Sequence, residues 1–160
     1  MAELGSAALV RQLLAVLGEA IEGPSGPSTY FIDNRPDAAL LGALQGVSAA
    51  EASRPRAGTT IAAHVHHLEF GIEVSAAWIE GDQAPRDWNQ SWQVTTVDEA
   101  AWNQLLQQLR REYGRLRRAV ESRAATSEDA FGGAVGAIAH IAYHLGAVRQ
   151  KIVALRAQHE

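Results

Sequence analysis

The chain contains no cysteine among its 160 residues. That absence excludes a disulfide framework, a thiolate zinc site and a cysteine nucleophile together, and it fits a reducing compartment. There is no phosphate-cradling glycine loop and no nucleophile elbow. No apolar run approaches the roughly 20 residues that a membrane-spanning helix needs. Met1-Ala2-Glu3-Leu4-Gly5 lacks the basic stretch and apolar run of a secretory leader. The formal charge is -4, so no overall positive field draws nucleic acid or an anionic membrane. Together these absences predict a soluble, cytoplasmic protein with neither nucleic acid nor membrane as a partner.

What the chain does have is apolar content, 47% of its residues, arranged with helical period. At this length the simplest organisation is a single domain over residues 1–160. Leu9, Leu13, Val16, Leu17 and Ile21 mark a first helix from about Leu4 to Glu22, stopped by Gly23-Pro24. Tyr30-Phe31-Ile32 reads as an apolar cap on one end of the core. Pro36 suits the first turn of a short helix that carries Leu40, Leu41 and Leu44 and ends near Val47, and a further turn can begin at Ser48. Thr59 or Thr60 caps a second long helix whose inward face is Ile61, Val65, Leu68, Ile72, Ser75 and Ile79, with its end at Gly81.

Residues 82–97 show no periodicity. Trp88 and Trp92 lie within them, and the expectation is that these rings pin a long crossover to the bundle. Thr96, followed three residues later by Glu99, predicts a capping box at the start of a third long helix, with Trp102, Leu105, Leu109, Tyr113, Leu116 and Val120 on one seam. Arg110, Arg111, Arg115, Arg117 and Arg118 fall mostly on its other sides and read as a solvated face. A last helix is expected over about 131–157, its seam being Ile138, Ile141, Leu145, Val148, Ile152 and Leu155. All of this specifies an all-α helical bundle.

The chemistry lies in the histidines. His140 and His144 are four residues apart, so their rings share one helix face. On the helical wheel they sit at the edge of the apolar seam, with Lys151 further along the same flank. On the second helix His64 falls inside the inward stripe, His67 on its flank, and His66 is expected to see solvent. His159 lies at the frayed chain end. Imidazoles packed in an apolar groove need polar partners, and a single metal ion serves all of them. A set of three leaves an open coordination position, the pattern of catalytic rather than structural sites. The zinc-protease helix is excluded because no glutamate follows His140. A di-iron carboxylate bundle is excluded because there is no Glu-x-x-His pair.

On Thr60-Ile61-Ala62-Ala63-His64-Val65-His66-His67-Leu68 and His140-Ile141-Ala142-Tyr143-His144-Leu145-Gly146, the sequence resembles the DinB-like (YfiT-like) superfamily of metal-dependent enzymes over most of its length. The resemblance implies a four-helix bundle in up-down-down-up order, with a long crossover between the second and third helices. It implies a divalent metal, zinc or nickel, on His67, His140 and His144, with His64 as the second choice or a supporting group. It further implies a hydrolase or an S-transferase that uses a low-molecular-weight thiol as co-substrate, acting on a small molecule, and a homodimer. The alternative is a non-catalytic ligand-binding or stress-response bundle whose pocket is lined by Trp88, Trp92 or Trp102. Glu69 and Glu73 are the carboxylates nearest the ligands in sequence, and neither is placed on the wheel as a general base.

Overall fold

The start of the second long helix shows how local chemistry sets the architecture. Thr60 stands in extended conformation and its Oγ1 accepts from the backbone N–H of Ala63 at 3.1 Å, satisfying one of the free donors there. Twenty helical residues follow and stop where Gly81 takes the left-handed conformation, φ 102°. The computed structural model describes residues 5–157. Among them α1 is Ser6–Ile21, α2 Leu40–Leu44, α3 Ala49–Ala52, α4 Ile61–Glu80, α5 Glu99–Arg123 and α6 Glu128–Arg156, with a 3-10 turn at Trp88–Trp92 and no strand. The expected helix start at Leu4 and the frayed His159 lie outside the described residues.

Four long helices form the bundle. α4 packs mainly on α5 and α6, and α1 closes the other side against the same two. The expected seams are the buried ones on α5, where Trp102, Leu105, Leu109, Tyr113, Leu116 and Val120 are all in the core, and on α6 from Ile141 to Leu155. On α4 Ala76 takes the buried place expected of Ser75, which turns half outward and donates its hydroxyl to the Gly71 carbonyl. α6 carries Gly132, Gly133 and Gly136 in its first turns, each costing about 1 kcal/mol of helix propensity. Five large aliphatic side chains on the same helix, Ile141, Leu145, Val148, Ile152 and Leu155, are buried. At about 2 kcal/mol each they outweigh that cost.

Several local expectations are corrected. Residues 36–39 form turns, so α2 starts at Leu40 rather than at Pro36. α6 begins at Glu128, three residues earlier than its seam suggests, because the Ser127 hydroxyl caps the Ala130 N–H at 3.1 Å. No Thr96 capping box forms. Asp98 caps α5 by accepting from Ala101, and the Glu99 carboxylate instead accepts from the Ala49 N–H at 3.1 Å, tying α5 to α3. Of the Tyr30-Phe31-Ile32 patch only Ile32 enters the core; Tyr30 and Phe31 are 59% and 44% exposed. The segment is held by polar contacts, since the buried Glu19 carboxylate accepts from the backbone N–H groups of all three residues.

The crossover has a fixed course. Thr60 Oγ1, at the start of α4, donates to the Thr95 carbonyl at 2.8 Å, and Ser53 Oγ accepts from the Val97 N–H at 2.9 Å. At the opposite end Arg115 of α5 pairs with Glu80 of α4 at 2.6 Å. α4 and α5 therefore run in the same direction, and residues 82–98 travel back along the helices, a distance of about 30 Å for the length of α4. α6 runs the other way: its early Gly133 faces Trp78 and Ile79 near the end of α4, and its late Lys151 reaches the Thr59 carbonyl at 3.3 Å. α6 is also long and apolar enough, by length and composition, to cross a membrane, contrary to the sequence reading. One stripe of it, Ile141, Leu145, Val148, Ile152 and Leu155, is buried against the other helices.

Candidate metal centre

α4 and α6 cross where both carry histidines. The register of the two antiparallel helices sets His67 against His140 and His64 against His144. His67 Nε2 lies 2.9 Å from His140 Nε2, and His64 Nδ1 lies 2.9 Å from His144 Nδ1. His67, His140 and His144 each offer one ring nitrogen, all within 4.8 Å of one another. Three nitrogens on one tetrahedral zinc ion stand about 3.3 Å apart, given bonds near 2.0–2.1 Å. The group is thus compact enough to hold a metal ion with little movement.

The turn at Trp88–Trp92 supplies what the sequence reading did not find. Ser91 is fully buried, and its Oγ donates to the Trp88 carbonyl at 2.7 Å. A hydroxyl has a single proton, so toward His67 Nδ1, 2.7 Å away, Ser91 Oγ acts as acceptor. That assigns the His67 proton to Nδ1 and leaves the Nε2 lone pair facing the other rings, which is the form a metal requires. His66 also turns toward this segment: its Nδ1 lies 2.8 Å from the Ser91 carbonyl and it is half-buried, not solvent-facing as expected. Nothing in the spacing of Ser91 announces this role, because it lies in a segment without periodicity.

Gly71 is a second group the sequence reading passed over. A Cβ at this position would stand 2.6 Å from His140 Cε1 and 2.8 Å from its Nδ1. The missing side chain is what lets the His140 ring lie against the α4 backbone. A glycine in mid-helix one turn after a histidine was the available signal, since glycine there is otherwise costly.

The two tryptophans do pin the crossover, and they pin it on the histidines. Trp92 stacks on His67 with centroids 4.1 Å apart and planes 19° apart, and meets His64 edge-on at 5.4 Å. Trp88 flanks His67 at 5.8 Å and His140 at 6.0 Å. Both indoles keep an exposed edge, so they form a partial cover rather than a seal. Trp102 is elsewhere: it is buried in the core, its Nε1–H donating to the Val47 carbonyl at 2.8 Å. It lines no part of the histidine cluster.

Burial decides the charge state of the cluster. His64, His67 and His144 are buried and His140 half-buried. Loss of solvent is the main cause that depresses all four. His64 and His67 are brought to about 4 and His144 to about 3, with neighbouring imidazoles adding to the effect at His67 and His144 and Lys151 at His64. At neutral pH the rings are uncharged and available as ligands. No carboxylate joins the three rings among the described residues. Glu73 pairs with Arg115 at 3.6 Å. Glu69 is half-buried, and burial raises it, beside His66, Glu112, Arg111 and Glu73.

Comparison with known proteins finds no protein-family model, no curated protein and no solved structure that matches this chain. The functional reading therefore rests on the residues and their geometry.

Proposed function

We propose that this protein is a metal-dependent enzyme acting on a small molecule, with a divalent ion, zinc or nickel, held by His67, His140 and His144. The observation that carries the reading is the convergence of three uncharged ring nitrogens, two from buried rings and one from a half-buried ring, within 4.8 Å and drawn from two helices. The donor set fits the group. Three imidazoles suit zinc and nickel, and Ser91 presets the His67 tautomer. His144 Nδ1 stands 2.9 Å from His64 Nδ1, and in the tautomer in which His144 donates to His64 its Nε2 is free in the same way. A divalent ion bound by three uncharged imidazoles is a Lewis acid with a free position, and it acidifies water or a thiol at neutral pH.

The protein's own contribution is orientation and partial exclusion of water. His64 holds His144, Ser91 holds His67, and Trp88 and Trp92 cover the cluster from the crossover. The reaction class we propose is hydrolysis or S-transfer from a low-molecular-weight thiol. We assign the chain to the DinB-like group as a cytoplasmic homodimer. The parallel course of α4 and α5 and the long crossover between them support an up-down-down-up bundle. The test is metal analysis of protein purified without an affinity tag and loaded with zinc or nickel. One ion per chain, lost in His140→Ala and His144→Ala, is the expected result. A stoichiometry near zero in the loaded wild type would remove the reading.

A further inference from the structure

A cavity of about 570 Å³ opens beside the histidine cluster, at the top of α4 and α6. Its walls include Ala57, Ala147 and Ala154, and its polar groups include His64 and Lys151. His64 belongs to both places: it lines the cavity and touches His144 at 2.9 Å. The cavity is thus one imidazole away from the proposed ligands.

Lys151 is the unusual member. It is buried, yet no Asp or Glu among the described residues pairs with it. Its Nζ donates to the carbonyls of Arg56 and Thr59. An ammonium has three donors, so one remains. Burying a cation whose hydrogen-bond partners are two backbone carbonyls is costly, the more so with the Arg56 side chain lining the same cavity, and a bound anion offsets that cost. Burial already pushes the Lys151 ammonium down from its ordinary value. Position agrees with this. Lys151 is two helical turns past His144 on the same flank, about 10 Å along the axis, and helical side chains lean toward the N-terminus, here toward His144.

The geometry points to this cavity as the seat of a carboxylate-bearing small molecule, its anionic end on Lys151, its apolar body against the alanine wall and its other end toward His64 and the metal. The inference rests on the metal-enzyme reading for the second end alone. The carboxylate contact with Lys151 stands without it.

The experiment is calorimetric titration of the full chain, metal-free and zinc-loaded, with hexanoate, 1-hexanol and hexylammonium as probes. Hexanoate is expected to bind both forms saturably, at least tenfold more tightly than the alcohol, with no binding of the amine. Lys151→Met is expected to lose at least tenfold in hexanoate affinity in both forms. Because Lys151 also ties the 56–59 turn to α6, Ala147→Leu provides a second variant that narrows the cavity at its apolar wall and leaves the lysine in place; it too should lower hexanoate affinity, with unchanged helix content and zinc stoichiometry. Equal binding of hexanoate and hexanol overturns the inference, as does full hexanoate affinity in Lys151→Met or in Ala147→Leu. Lysine-dependent binding by a chain that takes up no zinc upholds the inference and defeats the metal reading. Zinc uptake with lysine-independent hexanoate binding does the reverse.

Discussion

Ser91 and Gly71 show how much of the centre depends on groups that are not ligands. The Ser91 hydroxyl has one proton, given to the Trp88 carbonyl, and this dictates the His67 tautomer. Removing a partner of this kind from a metal-ligating histidine costs 10–100-fold in metal affinity in order-of-magnitude terms. Ser91→Ala is therefore expected to weaken zinc binding by about that factor in a competition titration, and to cost about 1–3 kcal/mol of stability because the buried His67 Nδ1–H loses its acceptor. Gly71→Ala pulls two ways. Alanine in mid-helix gains about 1 kcal/mol of propensity, but its Cβ would stand 2.6 Å from the His140 ring. The ring can swing out where the α4 backbone cannot, so the variant should fold and bind zinc poorly. Wild-type zinc affinity in Gly71→Ala would show that His140 does not need to lie against α4. The grouping of the three histidines was legible, His140 and His144 from their i, i+4 spacing and His67 from its place on the inward flank of α4. Ser91 and Gly71 were not: one lies in an aperiodic turn, and the other is marked only by a missing side chain.

At the scale of elements, the seams of α5 and α6 could be read because burial of every third or fourth residue is imposed by packing against neighbours. Helix ends were less legible, since several residues compete for one cap. Thr96 and Glu99 have capping-box spacing, but Asp98 takes the N-cap and Glu99 spends its carboxylate on Ala49, fifty residues away. That contact is tertiary and leaves no local trace. Asp98→Ala should cost about 1 kcal/mol of stability, and Thr96→Ala should be near neutral, as measured by urea unfolding. The reverse order would restore the capping box. His66 teaches the same lesson from the other side. The wheel points it to solvent, and the crossover then lays the Ser91 carbonyl on it.

Across the whole molecule, the centre makes folding sensitive to acid. In the native metal-free protein His64 and His67 titrate at about 4 and His144 at about 3, whereas in the unfolded chain each titrates near 6.5. Between these values the unfolded state binds more protons, so stability falls with falling pH. It is full above about pH 7, declines by up to about 1.4 kcal/mol per pH unit for each such histidine, and levels as the native rings protonate, at about pH 4 for His64 and His67 and about pH 3 for His144. Glu19 acts in a lower window. Burial opposes its ionisation, but the N–H groups of Phe31, Tyr30 and Ile32 hold it below its ordinary value, so its contribution is lost at more acidic pH. Urea midpoints at pH 7, 6 and 5 should fall steadily for the metal-free wild type and less steeply for His144→Ala. A midpoint flat across that range would mean the rings are not buried uncharged.

The central claim is that three imidazoles from two helices meet on one ion. X-ray absorption of the zinc-loaded protein tests it most directly. Three imidazole nitrogens at about 2.0–2.1 Å, with the multiple-scattering pattern of histidine rings, are predicted, with that spectrum lost in His67→Ala as the ion is. A shell of oxygen donors without imidazole scattering, or a wild-type spectrum unchanged in His67→Ala, would contradict it.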